Sequence, residues 1–138
     1  MKVCEVMNAK VITCKPNDKI CDVVRRLKDL HITGMPVVEE NKLVGVVAES
    51  DILRAVPFSY HILEGGPEGF AKLREIGKKP VSEIMTREAV TVSPIDGIEA
   101  AAQLMVKHRI NRVPVVDRGK LVGIVTRGDI IRVLGEAK

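Results

Sequence analysis

The sequence contains few aromatic residues and no long apolar segment. Its 138 residues include no tryptophan, one tyrosine and two phenylalanines. Proteins that hold single-stranded nucleic acid commonly stack bases on repeated aromatic side chains, so this chain lacks the residues for that mode of binding. No apolar run approaches the roughly 20 residues that a membrane span needs, and we therefore expect no membrane insertion.

Cysteine and clustered charge are also scarce. Cys4, Cys14 and Cys21 form an odd set without a C-x-x-C pair, which indicates neither a disulfide framework nor a zinc site. The first residues include a lysine and a glutamate in place of an apolar secretory segment, so we expect a cytoplasmic protein. The net charge is +4, but acidic residues are interspersed with the basic ones, which allows only weak attraction to polyanions.

The dominant feature is an internal repeat. A shift of 78 residues aligns residues 3–56 with residues 81–134 without a gap, and 19 of the 54 aligned pairs are identical. A long period that occurs only twice indicates a duplicated half-domain with pseudo-twofold symmetry. We therefore divide the chain into a first repeat (1–56), an insertion or linker (57–80) and a second repeat (81–138).

The two copies share one order of local patterns. A β-branched stretch at residues 11–13 or 90–92 predicts a brief strand. An amphipathic helix follows, with apolar residues at i, i+3, i+4 and i+7 from Ile20 and from Ile98. Asp18 and Asp96 stand where helix N-caps are expected, the second with Glu99 as a capping box.

The rest of each copy predicts a hairpin and a short helix. Apolar runs at 35–38 and 43–47 flank a polar stretch, as do the runs at 113–116 and 121–125. They do not alternate strictly, so we expect strands that are covered on both faces. Segments 51–56 and 129–134 predict short helices. The expected fold is α/β of the α+β type, with two pseudo-twofold-related β-α-β-β-α repeats.

Residues 57–80 contain all three aromatic residues, Phe58, Tyr60 and Phe70, and a predicted short helix near 68–76. On one interpretation this insertion is a lid, a flap that faces a ligand, or a dimer contact. On the other, the aromatic residues merely anchor a long linker.

Three segments of the second copy resemble the signature stretches of a cystathionine β-synthase (CBS) domain. They are V-S-E-I-M-T (81–86), R-I-N-R-V-P-V-V (109–116) and G-I-V-T-R-G-D (123–129), with weaker versions at 3–8, 31–38 and 45–51. The resemblance covers the chain except the insertion and the extreme C-terminus. It implies two copies that pair through their sheets, with a cleft that holds two related sites for AMP, ADP, ATP or S-adenosylmethionine, and no required cofactor.

The resemblance implies ribose contacts from Thr126 and Asp129, because the Asp of the Gly-x-x-Thr-x-x-Asp stretch accepts both ribose hydroxyls in similar proteins. An ionised carboxylate suits this role, since it can accept two O–H donors at once. The alternative is that Asp129 and its counterpart Asp51 only cap helices. In the first copy Ala48 replaces Thr126, so we predict unequal affinities, with Ser50 or Glu49 as partial substitutes.

For the phosphate group the best candidate is Arg112, because a guanidinium can bind phosphate oxygens bidentately and some family members carry a phosphate-binding Arg there. The aligned residue in the first copy is Gly34. Further candidates are charged residues that could equally be solvated or ion-paired: Arg109, Arg127, His31 and Lys107. Adenine would fit an apolar slot, whose candidate residues also suit a core: Ile12, Thr13, Met35, Val90, Thr91, Val113 and Pro114.

We find no catalytic constellation, and His31, His61 and His108 share no catalytic spacing. We therefore predict a non-catalytic regulatory module, an energy or metabolite sensor that binds AMP, ADP or ATP, forms a homodimer and acts on an unidentified protein. One alternative is an S-adenosylmethionine-binding module. Another is a dimeric platform for protein or nucleic acid with no required ligand, which DNA or RNA binding that survives physiological salt would favour.

Overall fold

The computed structural model describes residues 1–56 and 66–136. The chain forms two compact units, which we name after an aspartate in each. The Asp129 unit comprises Met1–Ile12, Glu40–Leu43 and Glu88–Lys138, and the Asp51 unit comprises Thr13–Glu39 and Val44–Arg87. The Asp129 unit therefore includes two short segments of the first repeat, and the Asp51 unit includes the first residues of the second repeat. The sequence boundaries at residues 56 and 81 stay a prediction.

Helices and strands follow the predicted order. The first repeat and the insertion form α1 (Ile20–Asp29), β1 (Gly34–Glu39), β2 (Lys42–Ala48), α2 (Glu49–Ala55) and α3 (Gly66–Lys78). The second repeat forms α4 (Ile98–His108), β3 (Arg112–Asp117), β4 (Lys120–Thr126) and α5 (Arg127–Gly135). One-turn 3₁₀ helices at Val3–Glu5 and Val81–Glu83 precede them. None of the described helices is long and apolar enough to span a bilayer.

The predicted N-caps are wrong in both repeats. Helix α1 begins after Lys19 and α4 after Gly97, and neither residue provides a side-chain cap. The carboxylates of Asp18 and Asp96 instead accept hydrogen bonds from the amides of Lys15 and Ser93, at 2.9 and 2.8 Å, and so close the preceding turn. Consequently Glu99 takes part in no capping box with Asp96.

Backbone carbonyls from distant segments take over part of the capping. The amide of Ile20 donates to the carbonyl of Lys79, and the amide of Ile98 donates to the carbonyl of Met1. These bonds satisfy donors that a helix start leaves without an intrahelical partner. The predicted N-cap side chains are therefore not needed there.

The brief strands predicted at 11–13 and 90–92 each reduce to a single backbone bridge. The first bridge lies one residue after the predicted strand, and the second lies at its last residue. Cys14 pairs in parallel with Val37, and Val92 pairs in parallel with Val115. In the first bridge, the Cys14 amide donates to the carbonyl of Pro36 at 3.1 Å, and the Val38 amide donates to the carbonyl of Cys14 at 2.8 Å. A Pro follows two residues after each bridge, at 16 and 94, and Pro cannot donate a ladder bond, which limits the pairing.

Both hairpins form as predicted, with two-residue turns. Glu40 and Asn41 have φ of 51° and 67°, and Arg118 and Gly119 have φ of 53° and 81°. Two successive positive φ values characterise a type I′ turn, whose twist matches that of the adjoining strands. In the Asp129 unit, β3 and β4 pair from Arg112–Thr126 to Asp117–Lys120, and Lys42 pairs with Lys120. The α+β fold class is confirmed, and each repeat follows the β-α-β-β-α order with its first β element reduced to a bridge.

Each core is completed by a 3₁₀ segment from the other repeat. Val3 and Val81 are fully buried. The amide of Val3 donates to the carbonyl of Asp96 at 2.7 Å, and the amide of Val81 donates to that of Asp18 at 2.8 Å. In the Asp129 unit, Val3 joins a cluster of buried residues from the Val92 bridge, α4, β3 and β4: Val92, Ala101, Met105, Val113, Val115 and Val125.

The predicted helix of the insertion is confirmed as α3, which packs against α1. Phe70 on α3 is exposed, and the guanidinium carbon of Arg74 lies 4.5 Å from its ring centroid, a cation–π arrangement. Phe58 and Tyr60 lie outside the described residues. The choice between lid, flap, dimer contact and linker therefore stays open.

Removal of the buried Val81 side chain tests the docking of the exchanged segment. We expect Val81→Ala to lower the free energy of unfolding by about 2 kcal/mol, since it deletes two buried methyl groups and leaves a cavity. Urea denaturation at constant slope measures this. Val106→Ala is the control, because Val106 is exposed and such changes stay within about 0.5 kcal/mol. Equal effects of the two substitutions would contradict the docking.

Candidate functional site

The Asp129 carboxylate is held in a fixed orientation at the start of α5. Its Oδ2 accepts a hydrogen bond from the backbone amide of Thr126 at 2.8 Å, and the Asp129 amide donates to the Thr126 hydroxyl at 3.3 Å. These two bonds form a reciprocal capping box. The Oδ1 atom lies 3.4 Å from Nη1 of Arg132, and the Asp129 side chain is 16% exposed. One carboxylate oxygen is thus fixed, and among the described residues the other has only one long contact, with a mostly exposed cation.

The equivalent Asp51 carboxylate has the same frame and more partners. Its Oδ2 accepts from the Ala48 amide at 2.8 Å, and its Oδ1 contacts both Nη2 of Arg54 and the hydroxyl of Thr86, the latter at 2.9 Å. Asp51 is also 5% exposed, the one buried charged residue of the described core. Three donors therefore engage this carboxylate, and two of them share Oδ1.

Thr86 is a site residue that the sequence analysis did not identify. It follows the 3₁₀ helix Val81–Glu83, and its backbone exchanges hydrogen bonds of 2.8 and 2.9 Å with Val46 of β2. Asn8 is its counterpart in the repeat, and it pairs in the same way with Ile124 of β4. The repeat alignment does pair Asn8 with Thr86, but only the exchange of segments shows that each lies in the unit of the other repeat.

Arg112, the predicted phosphate-binding residue, lies in the Asp129 unit beside the capping box. It begins β3 and pairs in register with Thr126, the last residue of β4. Burial lowers the pKa of its guanidinium below the usual value, so a nearby anion would favour the charged form. The structure thus brings Arg112, Thr126 and Asp129 together at the end of one hairpin.

The first repeat has no room for a side chain at the position of Arg112. A Cβ atom on Gly34 would lie 2.8 Å from the carbonyl oxygen of Val47 and 3.2 Å from Cα of Ala48. Such distances are shorter than normal contacts with rigid backbone atoms, so Gly is required at this close approach. The difference between the two repeats therefore extends beyond the replacement of Thr126 by Ala48.

The secondary phosphate candidates lie around the helices of each unit. His31 and Arg109, at equivalent positions after α1 and α4, are exposed and have φ of 55° and 54°. Arg109 and Arg127 line a groove of about 360 Å³ between α4 and α5. Lys107 is exposed in the last turn of α4. Of all the candidate cations, Arg112 is the one whose backbone lies opposite Thr126 in the β3–β4 pair.

A groove of about 320 Å³ occupies the equivalent position between α1 and α2 of the Asp51 unit. Both grooves have largely apolar walls with strongly exposed members, Leu53 (71% exposed) in one and Val106 (81%) and Ile131 (57%) in the other. Leu53 and Ile131 occupy aligned positions of the repeat. The chain therefore presents the same type of apolar surface twice.

The residues predicted for an adenine slot differ in accessibility. Met35, Val113 and Pro114 are buried, and Val113 belongs to the core cluster of the Asp129 unit. Ile12, Thr13 and Val90 are half-buried, and Thr91 is exposed. Their role in adenine binding stays a prediction.

The Cys14 thiol has a structural role. Cys14 is buried in the Asp51 unit, and burial, followed by the charge of Asp18, raises the pKa of its thiol to about 11. The thiol is therefore protonated at neutral pH and is a poor nucleophile. Among residues 1–56 and 66–136, no three His, Cys, Asp or Glu side chains lie close enough to hold a metal ion.

Comparison with known proteins agrees with this geometry. The family model for the CBS domain matches residues 3–57 and 81–136. Protein MJ1426 of Methanocaldococcus jannaschii is 35% identical to this chain over an alignment of 154 positions, gaps included. The alignment covers 97% of this chain and 91% of that protein.

Two crystal structures with bound ligands share the fold. CBSX2 in complex with AMP, a protein known from Arabidopsis thaliana, gives a TM-score of 0.78 at 30% identity and covers 98% of this chain and 96% of its own. The CBS domain pair of MJ0100, in complex with 5′-methylthioadenosine and S-adenosyl-L-methionine, gives a TM-score of 0.75 at 31% identity. The match covers 100% of this chain and 98% of the MJ0100 chain. The resemblance drawn from the sequence is thus confirmed, and the chain belongs to the CBS domain family as a pair of CBS domains.

Proposed function

We propose that this chain is a regulatory module that binds an adenosine-type ligand through Asp129, with AMP, ADP or ATP as the preferred class. The observation that carries this proposal is the state of the Asp129 carboxylate, whose Oδ2 is fixed by the Thr126 amide and whose Oδ1 retains acceptor capacity. A ribose diol offers two O–H donors to such a group, and hydrogen bonds to an ionised acceptor are the stronger kind. The AMP complex of CBSX2 supports the ligand class.

Arg112 favours a ligand that carries phosphate. Its half-buried guanidinium starts the strand that pairs with Thr126. A partly desolvated cation gains more from an anion than an exposed one does, because water screens the pair less. S-adenosylmethionine, which the MJ0100 pair binds, has no phosphate for this cation and is the second candidate. Arg109, Arg127, His31 and Lys107 would act only as peripheral cations.

The same proposal covers the biological role. The module is non-catalytic, resides in the cytoplasm and reports ligand concentration to a separate protein. A ligand can transmit such a signal only if it binds one conformation better than another. The identity of the regulated protein requires a pull-down in the presence and absence of the ligand.

The apolar grooves support a homodimer as part of this function. Leu53 and Ile131 are largely exposed although each is a large apolar residue, and Leu134 of α5 is exposed as well. Ile130, in contrast, packs against the core cluster, so it stabilises the Asp129 unit itself. Contiguous exposed apolar surface commonly marks a protein contact. A second copy of the chain presents the same apolar groove and can cover it.

Calorimetric titration of AMP, ADP, ATP and S-adenosylmethionine tests the ligand proposal. We expect a phosphate-bearing nucleotide to bind best, and Asp129→Ala to weaken that binding about 10- to 100-fold, because it removes charge-assisted hydrogen bonds. Asp51→Ala is the matched control and should leave the main binding event in place. Tightest binding of S-adenosylmethionine would favour the second candidate, and no binding at millimolar ligand would favour a docking platform without a ligand.

Sedimentation analysis tests the homodimer. We expect the wild-type chain to sediment as a dimer. The double variant that carries Leu53→Glu and Ile131→Glu should sediment as a monomer, since each carboxylate would be buried in the interface without a partner. Phe70→Glu is the control, because Phe70 is exposed on α3 outside the grooves. A monomeric wild-type chain, or a dimer that survives both groove substitutions, would contradict this part of the proposal.

A further inference from the structure

We propose that Thr86 closes the ribose site of the first repeat, so that each chain binds a single adenosine-type ligand, at Asp129. This inference rests on the proposed function and assigns a role to a residue outside the Gly-x-x-Thr-x-x-Asp stretch. The Thr86 hydroxyl donates to Oδ1 of Asp51 at 2.9 Å, the bond that a ribose hydroxyl would make there. The Thr86 hydroxyl thus occupies the carboxylate oxygen that would otherwise accept a bond from the ribose.

The occupancy of Asp51 leaves little capacity for a ligand. A carboxylate offers about four lone-pair positions on two oxygens. The Ala48 amide binds Oδ2, while Thr86 and Arg54 both bind Oδ1. A ribose diol would have to displace the Thr86 hydroxyl from an aspartate that is 5% exposed. Because Thr86 is exposed, the displaced hydroxyl would exchange its bond to the carboxylate for a bond to water, so the ribose would gain only the difference between the two.

A comparison with the Asp129 unit shows which donor of Asp51 lacks a counterpart there. Arg54 has a counterpart in Arg132, which also contacts its aspartate, and the Ala48 amide has a counterpart in the Thr126 amide. Thr86 has Asn8 as its counterpart, and the Asn8 carboxamide oxygen accepts from the Lys10 amide at 2.9 Å. The hydroxyl at position 86 is therefore the contact of Asp51 that has no counterpart at Asp129.

The position of Thr86 is also fixed by the backbone. Its amide and carbonyl both bond to Val46, which lies two residues before the end of β2 and five residues before Asp51. The hydroxyl needs only a rotation about its Cα–Cβ bond to make or release the contact. A bond that depends on one rotamer can be removed by substitution without a change in the fold.

Titration of AMP into three variants tests the proposal. We expect one AMP per chain for the wild-type protein and for Thr86→Ser, which keeps the hydroxyl. Thr86→Val removes the hydroxyl at similar size and should add a second binding event, roughly tenfold or more tighter at this site than in Thr86→Ser. The second event should disappear in Thr86→Val combined with Asp51→Asn, while the event that depends on Asp129 remains.

The outcomes separate this inference from the proposed function. One AMP per chain in Thr86→Val, or two in Thr86→Ser, would overturn the role of Thr86 even if the function is correct. If no variant binds AMP, ADP or ATP, the proposed function fails, and the contact is judged by thermal unfolding of Thr86→Val, Asp51→Asn and the double variant. Additive shifts in the midpoint would then overturn the inference, and non-additive shifts would support a coupled pair.

Discussion

The docking of a short N-terminal segment of each repeat into the core of the other repeat's unit is the interaction on which the structure depends. Val3 and Val81 are fully buried, and backbone bonds from these residues hold the turns that precede α4 and α1. The carbonyls of Met1 and Lys79 then satisfy the first amides of those helices. Since neither repeat buries its core without this segment, the two repeats depend on each other for stability.

The same docking brings position 8 and position 86 beside the strands that lead to the two aspartates. Duplication supplies both units with an identical frame, in which the carboxylate accepts a bond from the amide three residues earlier. The residue that arrives from the docked segment then differs, Asn8 in one unit and Thr86 in the other. The Thr86 hydroxyl gives the Asp51 carboxylate a third donor, whereas the Asp129 carboxylate has two and keeps more acceptor capacity.

Much of the fold could be predicted from the sequence, because the relevant forces act over short distances along the chain. The periodicity from Ile20 and Ile98 gives the buried faces of α1 and α4, although Val24 is exposed. The N-caps at Asp18 and Asp96 were wrong because a side chain that can cap a helix can also close the turn before it. Which of the two bonds forms depends on carbonyls about 60 to 95 residues away in sequence, those of Lys79 and Met1.

By itself the sequence determined the duplication, the order of helices and strands, the family, and the pairing of Thr126 with Asp129. Local propensity and repeat identity carry these properties, and they do not require knowledge of distant contacts. Only the tertiary structure decided how Asp51 and Asp129 differ. The reason is physical: the acceptor capacity of a carboxylate depends on every donor that reaches it, and the Thr86 hydroxyl reaches Asp51 from 35 residues away.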